Sequence, residues 1–164
     1  MIASGSVWQR NEDACMETKT TLYAQDFYAW TQEQAARLEA RQFDALDIVN
    51  LVDEVIALGA SERRALGSHL IVLVLHLLKW RYQPDGRLTS HSWSDSIRNA
   101  RIQIDLLVET SPSLRPLLPG ILLRYYPKAR RLAADETHLA LTTFPEACPW
   151  SIDRLLDYDF FPES

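Results

Sequence analysis

The apolar positions of the chain recur at steps of three and four, and the alternation of apolar and polar residues that marks a strand is missing. We predict five helices, over residues 25–40, 46–58, 62–82, 92–108 and 117–135. The segment LIVLVLHLL is apolar on every side, and a helix of that kind is normally surrounded by others. The pattern therefore predicts an all-α fold, a bundle of about five helices around a central hydrophobic helix.

Glycine, serine and proline mark the predicted helix boundaries. Gly59 is expected to end the second helix as a left-handed C-cap, and Ser61 to cap the start of the third. Pro127 lies inside the fifth helix, where its missing amide and its ring predict a kink or a restart near Tyr126. The residues after 141 contain several prolines but are too apolar for a free tail, so we expect an irregular C-terminal wrap.

The composition is that of an ordinary globular chain, with 164 residues, 47% of them hydrophobic and 24% charged. We expect residues 22–164 to form a single helical domain, and residues 1–21 a flexible N-terminal extension in which Met16 is a plausible true start. No secretory signal and no apolar run of about 20 residues is present, which favours a cytoplasmic protein without membrane contact. Cys15 and Cys148 are too far apart, and without CxxC partners, to suggest a disulfide framework or a zinc cluster.

The net charge of −5 conceals an uneven distribution along the chain. Basic and acidic residues number 4 and 10 in residues 1–61, 12 and 5 in residues 62–131, and 1 and 7 in residues 132–164. The basic middle is either a nucleic-acid face or is neutralised by acidic ends that fold back, and we favour the second because a net acidic protein repels phosphate at long range. One basic stripe in the middle consists of Arg124, Lys128, Arg130 and Arg131, with Tyr125 and Tyr126.

The sequence contains no recognisable catalytic motif, since neither a GxSxG turn nor a phosphate-binding glycine loop is present. His69 and His76 share a helical face but lie about 10 Å apart along it, too far for two ligands of one zinc ion. We therefore predict no metal site, no catalytic residue and no cofactor. One polar pocket inside an apolar surround is retained as a possibility, formed by Glu54, His76 and Lys79.

Arginine and aromatic residues concentrate around the stretch HLLKWRYQP and in the helix that follows it. In the structural interpretation, Trp80 belongs to the core, and Lys79 and Arg81 are cations at a helix C-terminus, where the helix dipole favours them. In the functional interpretation this region is a partner surface, because arginine with exposed aromatics is typical of interface anchors and of single-strand nucleic-acid platforms. That surface would consist of Lys79, Arg81, Tyr82, Arg87, Trp93, Arg98 and Arg101.

Several segments, taken in their order along residues 22–164, resemble the bacterial family called domain of unknown function 29 (DUF29). They are LYAQDFYAW, FDALDIVNLVDEVIALGASERRAL, HLLKWRYQP, SWSDSIRNAR, SPSLRP, YYPKARRLAADET and FPEACPWSIDRLL. The resemblance implies a compact α-helical bacterial domain that usually stands alone, and it implies no activity, cofactor or catalytic residue. The chain departs from the family pattern at Pro127, where a helix-compatible residue is usual.

The sequence thus favours a non-catalytic protein-interaction module that binds a protein partner or a second copy of itself. Two alternatives stay open. One is a nucleic-acid-associated regulatory or toxin-antitoxin-type protein that uses the basic middle, and the other is an enzyme with a polar pocket between helices.

Overall fold

The computed structural model describes residues 22–83 and 92–163, and within these ranges the chain is helical and contains no strand. The α-helices are α1 (Phe27–Glu39), α2 (Ile48–Tyr82), α3 (Ser92–Thr110), α4 (Leu118–Thr137) and α5 (Ile152–Leu156). Short 3-10 turns occupy Phe43–Ala45, Pro112–Leu117 and Leu141–Thr143. The all-α prediction is confirmed. The predicted extension, with Met16, lies outside the described residues.

The second and third predicted helices are one helix, α2, which is 35 residues long. The expected break at Gly59 is wrong, because a glycine ends a helix by adopting a left-handed conformation and none of the described glycines has a positive φ. The neighbours Ala57, Leu58 and Ala60 are good helix formers, so nothing local opposes the continued helix. Ser61 is therefore an interior residue of α2 and not its cap.

The chain divides into two compact units, Met1–Leu58 and Gly59–Ser164. In the described part of the first unit, α1 packs against the start of α2 through Trp30, which is buried and donates its indole N–H to Oδ2 of Asp47 at 3.2 Å. Oε1 of Gln34, also buried, accepts the backbone N–H of Asp47 at 2.8 Å. These bonds fix the residue that precedes α2. The expectation of a single domain over residues 22–164 stays a prediction.

The second unit has one hydrophobic core, built around the C-terminal half of α2. Side chains from α3, α4 and the C-terminal segment enclose that half from several sides, so the central hydrophobic helix and the C-terminal wrap are both confirmed. The buried residues include Leu66, Leu70, Leu73, Leu77 and Leu78 of α2, Ile97 and Ile104 of α3, Ile121 and Ala133 of α4, and Phe144, Leu155 and Phe160.

Helix α4 runs through Pro127 without interruption, so the expected restart near Tyr126 does not occur. Both the proline and Leu123 are exposed. The carbonyl of Leu123 has no helical donor, because the proline four residues later lacks an N–H. Water can reach that carbonyl, which removes the main penalty for an interior proline. The helix ends at His138, a left-handed C-cap with φ of 58°.

Gly67 of α2 permits a close approach of α4. A Cβ atom at this position would lie 2.4 Å from Cε2 of Tyr125, which is too short for a real contact. The absence of a side chain at Gly67 therefore allows the Tyr125 ring to approach α2 closely. At Gly59, by contrast, an added Cβ would meet nothing within 4 Å.

The two glycines of α2 should respond in opposite directions to the same substitution. Gly59→Ala is expected to raise the free energy of unfolding by about 0.5–1 kcal/mol, because alanine favours the helix and has room. Gly67→Ala is expected to lower it by about 1–3 kcal/mol, because the Tyr125 ring must move. Urea unfolding followed by circular dichroism measures both, and a destabilised Gly59→Ala protein would show that the helix is broken there.

Candidate functional site

The start of α2 presents an unpartnered apolar surface within the described first unit. We define it as the apolar face, which consists of Ile48, Val49, Val52, Val55 and Ile56. Their exposed fractions lie between 50% and 75%. At about 100° per residue these positions fall within an arc of about 120°, so the five side chains form one continuous stripe along the helix.

The other side of the same helical segment packs against the residues of and before α1. Tyr23 donates its hydroxyl to Oε1 of Glu54 at 2.5 Å, and this bond raises the pKa of Tyr23. Leu51 is half-buried, and Asp47 accepts the Trp30 indole. Because α1 covers only this side, the apolar face is left without a neighbour among the described residues of its unit.

Aromatic side chains of the first unit are also exposed. The rings of Tyr23, Phe27 and Trp30 contact one another with centroid distances of 4.9–5.8 Å. Phe27 and Tyr28 are nevertheless half or more exposed. Seven carboxylates and two arginines lie within residues 22–58. The described part of this unit therefore combines exposed apolar groups with a strongly acidic character.

Two of the residues predicted for a partner surface have internal partners instead. Lys79 is buried, its ammonium lies 2.7 Å from Oε2 of Glu136, and it sits 4.7 Å from the centroid of the Trp93 ring. Arg101 has 0% exposure. Its guanidinium donates to the carbonyls at the C-terminal end of the chain, those of Leu155 at 2.8 Å, Tyr158 at 3.2 Å and Phe160 at 2.7 Å.

The remaining members of that predicted surface are spread over different environments. Arg81 and Tyr82 are half-buried, and the Tyr82 ring lies 5.1 Å from the ring of Phe144 in the core. Arg98 is exposed and lies 3.9 Å from Asp95. Arg87 lies outside the described residues. As a complete set, the seven residues therefore do not form an exposed surface, because Lys79 and Arg101 are buried and bonded to other residues of the fold.

The three residues predicted for a polar pocket each contact other described groups. Glu54 bonds to Tyr23 in the first unit, and Lys79 pairs with Glu136 in the second. His76 is half-buried and its Nδ1 lies 2.8 Å from the carbonyl of Val72, one turn back on its own helix. Burial lowers the pKa of His76. Each of the three side chains thus has a partner of its own.

The basic stripe of α4 is likewise divided between core and surface. The hydroxyl of Tyr126 donates to the carbonyl of Pro145 at 2.7 Å, and burial raises its pKa to about 12. Arg130 donates to the carbonyls of Phe144 and Leu141, each at 3.0 Å. These two residues hold the C-terminal wrap.

Burial also raises the pKa of the Cys148 thiol, which is the wrong direction for a nucleophile.

Comparison with known proteins identifies a family. A family model described as "Domain of unknown function DUF29" matches residues 22–161. No curated protein and no solved structure matches the chain. Over the part of the chain that is described, no helix combines the length and the apolar character needed to cross a membrane.

Removal of Arg101 should release the C-terminal segment. Arg101→Leu leaves three carbonyls without their donor and is expected to cost about 3 kcal/mol in the free energy of unfolding. Arg98→Leu, one turn away on α3, is the matched control and should change it by less than about 0.5 kcal/mol, because that side chain is exposed. Urea unfolding and limited proteolysis measure both effects, and equal stability of the two variants would contradict the assignment of Arg101 to the scaffold.

His76 should make the stability depend on pH. Its pKa is lower in the folded protein than the ordinary value of 6.5, so the unfolded chain takes up the proton first as the pH falls. The contribution of neutral His76 to the free energy of unfolding is therefore fully present above about pH 6.5 and is lost progressively below it. Unfolding curves across this range should show that loss in the parent protein and in the control His69→Gln. If His76→Gln showed the same loss of stability, the pH dependence could not be assigned to His76.

Proposed function

We propose that this chain, which belongs to the DUF29 family of domains of unknown function, is a protein-interaction module whose apolar face binds a basic amphipathic helix of a partner protein. The observation that carries the proposal is the stripe of five exposed branched side chains at the start of α2. Contiguous exposed apolar surface on a folded protein marks an interaction site. The proposal includes a cytoplasmic setting, in which a free thiol such as Cys148 stays reduced.

The spacing of the stripe suits a helical partner. Ile48, Val52 and Val55 follow one another at steps of four and three, and Val49, Val52 and Ile56 at steps of three and four. An amphipathic helix presents its own anchors at the same steps, so two such stripes pack along each other. Branched side chains have few rotamers to lose on binding, which favours association.

The charge of the first unit favours a basic partner over a second copy. With seven carboxylates against two arginines within residues 22–58, two copies of this unit would repel each other. A helix rich in lysine or arginine beside its apolar stripe is attracted instead, and such attraction speeds association and selects the partner. The partner surface predicted from the sequence, which includes Arg98, is a weaker candidate for the interaction site. Its Lys79 is neutralised by Glu136, and its Arg101 is bonded to backbone carbonyls.

A synthetic peptide tests this function with the full-length chain. An 18-residue helical peptide of leucine and lysine should bind in a fluorescence titration, and its leucine and glutamate counterpart should not. The double variant Val52→Gln and Val55→Gln should weaken binding by at least about tenfold, since it removes apolar contact without changing charge.

The matched control for that titration is Leu123→Gln, which changes a side chain that is 76% exposed in the second unit and should leave binding unchanged. Equal binding by the double variant and the parent would refute the proposal. Sedimentation of the chain alone tests the alternative partner. If the parent protein is a dimer and the double variant is a monomer, a second copy of the chain occupies the apolar face.

A further inference from the structure

A cleft in the second unit lies between the α2 segment that follows Gly59 and the start of α4. Its volume is about 460 Å³, within the range of about 300–1,000 Å³ typical of small-molecule sites. The lining consists of Ala60, Arg63, Arg64, Leu117, Gly120, Ile121, Arg124 and Tyr125. We call it the arginine cleft. All of its lining residues belong to the second unit, and none of them is part of the apolar face.

The charge of the arginine cleft is uncompensated within the described structure. Arg63, Arg64 and Arg124 are exposed, and none of them takes part in an ion pair with a described carboxylate. The described residues that line the cleft include no acidic side chain. This contrasts with Lys79, which is paired with Glu136. Three guanidinium groups around one concavity favour an anion with more than one charge, and their planar donor pattern matches phosphate oxygens.

The remaining walls of the cleft are apolar or aromatic. Leu117 and Ile121 line it from α4 and the turn before it, and Tyr125 adds an aromatic ring. That ring can lie close to α2 because position 67 carries no side chain. An interior glycine costs a helix about 1 kcal/mol relative to alanine, so the position of Tyr125 is obtained at the expense of helix stability. An aromatic ring in the wall of a cleft can stack on a planar apolar group of a ligand.

We propose that the arginine cleft binds a small phosphate ester that carries an aromatic or apolar group. The guanidinium groups of Arg63, Arg64 and Arg124 hold the phosphate, and Tyr125, Leu117 and Ile121 contact the body of the ligand. The chemistry is shared by a mononucleotide and by the terminal nucleotide of a single strand. The volume of the cleft favours the small ligand, since a strand needs a groove that continues for several nucleotides.

Isothermal titration of the full-length chain tests the site with three probes, which are inorganic phosphate, adenosine monophosphate and an eight-residue single-stranded oligothymidylate. Adenosine monophosphate should bind at least about tenfold more tightly than inorganic phosphate, because the latter lacks the group that contacts Tyr125. Arg64→Gln and Arg124→Gln should each weaken that binding by about tenfold. Arg131→Gln removes an exposed arginine of α4 that does not line the cleft, and it should change the affinity less than twofold.

A steric variant separates loss of the site from loss of the fold. A side chain at Gly120 would extend into open space, so Gly120→Phe should abolish binding while leaving the melting temperature within a few degrees of the parent value. The absence of adenosine monophosphate binding at millimolar concentration would overturn the proposal. Equal weakening by Arg131→Gln, or binding of the oligothymidylate alone, would also overturn it in favour of a diffuse basic surface. None of these outcomes depends on the apolar face.

Discussion

The second unit depends on one constraint, which is that the segment from Leu70 to Leu78 is almost entirely apolar and must be covered over most of its surface, with only Val72 and His76 left partly open. Helices α3 and α4 cover part of it, and the C-terminal segment covers a further part through residues such as Phe144 and Leu155. Because that segment is largely irregular, its buried carbonyls need donors that a helix would have provided internally. The guanidinium of Arg101 provides three of them from inside the core. A buried cation is thus a consequence of burying non-helical backbone.

The same helix has the opposite character at its start. Between Ile48 and Leu58 the sequence contains Asp53 and Glu54 among branched apolar residues, and α1 covers only the side that includes Glu54. The uncovered side is apolar, which costs free energy in water and makes binding of a complementary helix favourable. One continuous helix therefore serves as scaffold in the second unit and as a candidate binding surface in the first. This division is the physical basis of the proposed interaction function.

Two groups of cations can be distinguished within the basic middle of the chain once their partners are known. Lys79, Arg101 and Arg130 neutralise a carboxylate or bind backbone carbonyls of the C-terminal half. Arg63, Arg64 and Arg124 have no such partner among the described residues and line the arginine cleft. A count of charges along the sequence cannot separate the groups, since every member contributes the same unit charge. The distinction matters for function because only the second group is available to a ligand.

Helical periodicity and the all-round apolar run are local properties, and they sufficed to predict the all-α fold, the extents of α3 and α4, and the C-terminal wrap. The break at Gly59 was wrong because a glycine ends a helix only if the chain must turn there, and no short-range signal reports that requirement. Arg98 and Arg101 lie one turn apart with the same chemistry, yet one is solvated and the other is fully buried. The sequence by itself determined which segments are helical and which helix must be enclosed. Only the tertiary structure decided which charges and which apolar stripe remain free, because that depends on contacts between residues more than 50 positions apart.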